Sequence, residues 1–150
     1  MTVVTATDVH TRIFHKLMDV VPDLLTIEQH GKSVVDGLMD LNFDVLQRTP
    51  DKMIVALSHY YRHPSGDMIA DPDMVLAVYL GQERAEALSY QDLYSYREVY
   101  SQDMLRVDLR AKRSLNDFLN SWLRNLIAQG HRVEKDRPAS LLCRGEEKQR

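Results

Sequence analysis

The sequence predicts an α+β fold in which an N-terminal helix, a four- to five-stranded antiparallel meander sheet and a C-terminal amphipathic helix packed on that sheet precede a flexible charged tail. Three patterns predict it. Apolar residues recur every three or four positions near both ends, they alternate with polar ones through the middle, and the strands are joined by connections too short for the crossover helices of a parallel sheet.

Thr7 or Asp8 caps a first helix whose stripe is Val9, Ile13, Leu17 and Val20 or Val21, and Pro22 ends it. Residues 23–37 have no clean period, with Gly31 interrupting Leu24, Leu25, Ile27, Val34 and Val35, and read mostly as loop. From Met39 the period is two: Met39, Leu41, Phe43 and Val45 alternate with Asp40, Asn42 and Asp44, so one face is apolar and the other acidic. Thr49-Pro50-Asp51 supplies turn chemistry, and Lys52 to Tyr61 returns as a second strand with Met53, Val55 and Leu57 on one face. Pro64 to Asp67 and Asp71 to Asp73 bracket a longer connection before a third strand with Met74, Leu76, Val78 and Leu80.

Gly81-Gln82 turns the chain into a fourth strand over Glu83 to Gln91, with Ala85, Ala87 and Ser89 on one side and Leu88 and Tyr90 on the other. Residues 93–100 either extend that strand after a bend or form a fifth. Asp108 caps the last helix, where Ala111, Leu115, Phe118, Leu119, Trp122 and Leu126 form one stripe and Gly130 sits where a C′ glycine belongs. Phe118 and Trp122 are its expected core anchors, so Trp122→Ala should cost on the order of 3–5 kcal/mol. A single domain is expected over residues 1–130. Residues 131–150, mixed in charge, read as a tail in which Leu141 and Leu142 could dock.

Composition narrows the function classes. With 150 residues, 44% of them hydrophobic and 27% charged, the chain can build a core and stay dissolved. A net charge of -3 and a pI near 6.0 argue against nucleic acid as a partner. Cys143 is the only cysteine, which excludes a disulfide framework within the chain. No leader and no apolar run of the ~18 residues needed to span a bilayer are visible, so the cytoplasm is the expected address and no membrane is expected as a partner.

The helix pattern Leu115-Asn116-x-Phe118-Leu119-x-x-Trp122-Leu123-Arg124, followed by Ala128-x-Gly130, resembles the YqiB-like family of uncharacterised bacterial proteins. Ser58-His59-Tyr60-Tyr61, Gly66-Asp67 and Asp71-Pro72-Asp73-Met74 are the looser landmarks of the same resemblance. It implies a small bacterial domain without assigned activity and transfers no catalytic residue.

Three constellations bear on function. His59, His63, Asp67, Asp71 and Asp73 are residue types that hold divalent metals, as a small metal-dependent enzyme would need. Histidines four apart on a strand, however, lie ~13 Å from one another at ~3.3 Å per residue, and Asp and Pro are ordinary turn formers. The turn reading is favoured, and neither metal nor cofactor is expected. His10 and His15 lack metal spacing, and His30 and His131 have no matched partner.

All seven tyrosines lie between residues 60 and 100. Tyr60, Arg62, Tyr94, Tyr96 and Arg97 form a candidate interaction surface, set against cross-strand pairing of the same rings as ordinary sheet chemistry. Arg106, Arg110, Lys112, Arg113 and Arg124 on the last helix could approach phosphate but read as a solvated face. With no nucleophile elbow, phosphate loop or dinucleotide fingerprint, the favoured reading is a non-enzymatic binding or protein-interaction domain, self-associating or with a protein partner. A weak nucleic-acid binder working through the Tyr-rich sheet and the basic helix is a further alternative.

Overall fold

The computed structural model describes residues 8–135. The elements run α1 (Val9–Val20), β1 (His30–Ser33), β2 (Leu41–Arg48), β3 (Lys52–Arg62), β4 (Met68–Tyr79), β5 (Arg84–Gln91), β6 (Tyr96–Glu98), α2 (Leu109–Ala128) and β7 (Glu134–Lys135). The strands form one antiparallel sheet in the order β6-β5-β4-β3-β2-β1-β7. Six strands follow one another as a meander, and β7 returns after α2 to pair with β1.

Both helices begin as their caps dictate. Asp8 accepts from Thr11 N–H at 3.0 Å and Asp108 from Ala111 N–H at 2.9 Å, each satisfying one free donor of a first turn. Gly130 has φ +88°, the left-handed geometry of a C′ residue, at which the chain leaves α2. Ile13, Leu17 and Val20 of α1 and Leu115, Leu119, Trp122 and Leu126 of α2 join one apolar cluster with Leu41, Phe43, Met53, Val55, Leu57, Met74, Leu76 and Val78 of the sheet. Strand alternation therefore delivers one face of the sheet to the helices and turns the other away.

Seven strands stand where four or five were expected. β1 lies inside the stretch read as loop, and β7 inside the stretch read as tail. Each is too short to show a period, and their pairing rests on backbone proximity: a Cβ on Gly31 would lie 2.5 Å from Glu134 O. Residues 131–135 pack on the fold, with His131 and Val133 buried and Val133 N–H donating to Val20 O at 2.7 Å. Residues 136–150, with Leu141, Leu142 and Cys143, lie outside the described residues.

The long connection expected before the third strand is instead a tight turn, His63 N–H donating to Asp67 O at 2.8 Å, and β4 begins at Met68. Asp71 and Pro72 stay within β4 because the register steps between Ser58↔Asp73 and Tyr60↔Ala70. That bulge asks no ladder bond of a residue that has no N–H. A second bulge, between Val75 and Leu76, lets Ala85, Ala87 and Tyr90 all reach the covered side, where strict alternation put Tyr90 opposite the alanines. Residues 96–98 form a separate strand after a turn held by Asp92, which accepts from Tyr94 N–H and Ser95 N–H.

Candidate functional site

Among the described residues no helix or strand covers the second face of the sheet. Its centre is made of small residues, Ala56, Ser58 and Ala77, sunk between larger neighbours and buried without a second layer. At one end a groove of about 520 Å³ opens between the approach to β1 and the middle of β3 and β4. Ala56 and Val75 form its floor, and Glu28, His30, Asp44, Tyr60 and Asp73 form its polar wall.

Tyr60 donates to Asp73 Oδ2 at 2.8 Å, and Asp73 Oδ1 is buried without a hydrogen-bond partner among the described residues. Burial first, then the bond to Asp73, raises the Tyr60 phenol above its ordinary pKa. Three carboxylates above an apolar floor suit a ligand with a cationic end and an apolar stem.

At the other end of the same face Glu86, 8% exposed, is held by three donors. Tyr79 donates to Oε2 at 2.6 Å, Tyr100 to Oε1 at 2.7 Å, and Lys112 approaches Oε1 at 3.4 Å while donating to Tyr100 Oη at 2.9 Å. Burial would raise the Glu86 pKa, but the two phenols and the ammonium outweigh it and hold the carboxyl below its ordinary value. Tyr79 is pushed well up by burial and by Glu86. Beside this network lies a pocket of about 150 Å³ lined also by His10, Gln82 and Arg84, with Arg84 in a 2.5 Å ion pair to Asp8. Because β6 stops short, β5's free edge is completed by side chains: Asn116 accepts from Ala87 N–H at 2.8 Å and His10 Nδ1 lies 3.3 Å from Ala85 O.

The metal candidates are separated. His59 is turned to the covered face, buried against Trp122 with ring centroids 5.6 Å apart, whereas Asp73 lines the open face. His63 and Asp67 sit in the exposed hairpin turn, and Asp71 is exposed at the bulge. Among the described residues no three His, Cys, Asp or Glu side chains are placed to hold a metal ion. The candidate interaction surface is likewise divided. Tyr60 lies in the groove and Arg62 reaches Gly66 O at 3.5 Å, while Tyr94, Tyr96 and Arg97 are exposed at and beside β6, three strands or ~14 Å away. Of the two core anchors, Trp122 is 8% exposed and in the cluster; Phe118 is 39% exposed at its rim, edge-on to Tyr90 at 5.4 Å.

The Glu86 network is not legible in the sequence, where Lys112 reads as part of a solvated face. The available signal was a lone glutamate between Ala85 and Ala87 in a strand.

Residues 11–132 match the model of a domain of unknown function, DUF6908. The chain belongs to the DUF6908 family. No curated protein and no solved structure matches it. Membership agrees with the coarser part of the expectation, an uncharacterised family, and says nothing of the YqiB-like proteins or of origin. No helix among the described residues is long and apolar enough to cross a membrane.

Proposed function

We propose that this DUF6908 protein is a non-enzymatic binding domain that holds a partner against the open face of its sheet, with a lysine or arginine side chain of that partner in the groove beside Asp73. The observation that carries this reading is the groove itself, whose carboxylates stand over an apolar floor and include Asp73, one of whose oxygens has no donor among the described residues. A carboxylate held by a single donor is costly to bury, and a cation in the groove beside it offsets that cost. The partner is taken to be another protein, or a second copy of this chain, in the cytoplasm. The tie to the YqiB-like proteins, and with it a bacterial origin, rests on the α2 pattern from Leu115 to Arg124.

Backbone amide NMR with an extended peptide of alternating Arg and Val as the probe tests this. Shifts should concentrate at Asp44, Ala56, Tyr60, Asp73 and Val75, and binding should weaken as salt is raised. A Glu/Val peptide should leave the spectrum unchanged. Shifts confined to β6, or none with either peptide, would sink the proposal.

A further inference from the structure

The covered side of the sheet contains two imidazoles that the binding face does not use. His131 is 3% exposed and His59 6% exposed, with ring centroids 5.7 Å apart. His59 Nδ1 lies 2.8 Å from Asp40 O, a group that only accepts, so His59 donates there. His131 Nδ1 lies 2.9 Å from Ser33 Oγ, which accepts from Arg132 N–H at 2.8 Å, and His131 Nε2 is buried without a partner among the described residues. A hydroxyl that accepts from one side and donates its own proton to Nδ1 suits a neutral His131.

These contacts sit at a joint in the fold. His131 follows the C′ glycine of α2 and precedes β7, and its hydrogen bond reaches Ser33, the last residue of β1. Apart from Val133, which is buried and donates to Val20 O at 2.7 Å, the segment is held by two register pairs with β1, Gly31↔Lys135 and Lys32↔Glu134, with both β7 residues exposed.

We infer that His131 is an acid-sensitive latch, whose protonation frees residues 131–135 from β1 and uncovers that edge of the sheet. A proton added at Nδ1 turns an acceptor into a donor facing Ser33, and it places a charge in a buried space shared with a second imidazole. The groups facing His131 are His59 from β3, Ser33 from β1 and Asp40 from the connection before β2. Asp40 alone favours the cation, and its charge is shared with Lys32 of β1 at 3.9 Å. Burial, and then His59, lower the His131 pKa against that pull.

The sign follows. With its pKa depressed in the closed state, His131 leaves the latch intact above the ordinary imidazole value of about 6.5. As pH falls below that value, the released state takes up a proton that the closed state resists, and closure is lost through the depressed pKa.

Amide hydrogen exchange on the full chain at about pH 7.5 and about pH 5, corrected for intrinsic rates, is the test. Protection at residues 31–33 and 132–135 should fall at least tenfold at the lower pH while that of β3 and β4 holds, and His131→Gln should abolish this difference. Equal protection at both pH values, a uniform loss across the sheet, or the same loss in His131→Gln would overturn the inference. If His131→Gln does not fold, nitrogen NMR of the wild-type imidazoles decides. A His131 titration that coincides with the loss of protection supports the latch, and one displaced from it overturns it. His63→Gln, in the exposed turn, serves as the control and should behave as wild type.

Discussion

The two faces of this sheet are made by the same strands and solve opposite problems. Along β3, Met53, Val55 and Leu57 enter the apolar cluster, while Ile54, Ala56 and Ser58 between them face away. The covered face gains from apolar area removed from water, at roughly 25 cal/mol per Å². Among the described residues the other face has no apolar layer against it and instead stabilises its polar groups by pairing them, completely around Glu86 and incompletely at Asp73. A fully satisfied network adds rigidity, whereas an unsatisfied oxygen beside a groove leaves free energy for a ligand to recover.

The largest expected effect lies on the covered face. Trp122→Ala should lose about 3–5 kcal/mol of unfolding free energy in urea, since the ring contacts both His59 and Phe118 within the helix–sheet packing. A variant with the wild-type midpoint would mean the open face, rather than the core, dominates stability. Next comes Glu86→Ala, which strands the Tyr79 and Tyr100 hydroxyls and the Lys112 ammonium. It should cost about 1–3 kcal/mol, with Tyr79→Phe nearer 1. Equal effects for these two substitutions would show that the network is not centred on the carboxylate.

The pH dependence of the urea midpoint sharpens the contrast further. His131 has a lowered pKa, so stability should begin to fall as pH drops below about 6.5, where the unfolded imidazole gains its proton first. Glu86 is a carboxyl with a lowered pKa, so its contribution is intact above the ordinary glutamate value of about 4.3 and is lost as pH falls through the folded value. The profile should therefore descend in two stages, and His131→Gln should remove the first alone. Asp73→Asn should have the smallest effect on folding, within about 1 kcal/mol, while weakening binding of the Arg/Val peptide at least tenfold. A loss of stability without a loss of binding would reverse the roles given to the two ends of the open face.

Much of the architecture was legible because burial on one side writes a period into the chain. Met53 to Leu57, Met74 to Val78 and the Ala111 to Leu126 stripe all follow from it, as do the caps at Asp8 and Asp108. The period does not reveal where a strand slips. The bulge at Leu88 reversed the facing of Tyr90, and the bulge at Asp71-Pro72 turned an expected loop into strand, because a single extra residue changes face without changing composition. Of the candidate site residues, Tyr60 and Asp73 meet in the groove, since their strands pair at Ser58↔Asp73 and Tyr60↔Ala70. His59 does not join them, because it stands one position away and so on the other face.

What the residues alone determined was the class of the fold and its apolar side, since transfer of periodic hydrophobic groups from water is a local property of each segment. What the tertiary structure decided was every polar partnership between distant segments: Glu86 with Lys112, Ala87 with Asn116, Ser33 with His131. Those pairs span 26, 29 and 98 positions in the chain. A hydrogen bond needs its two atoms within about 3 Å, and only the assembled backbone brings them that close.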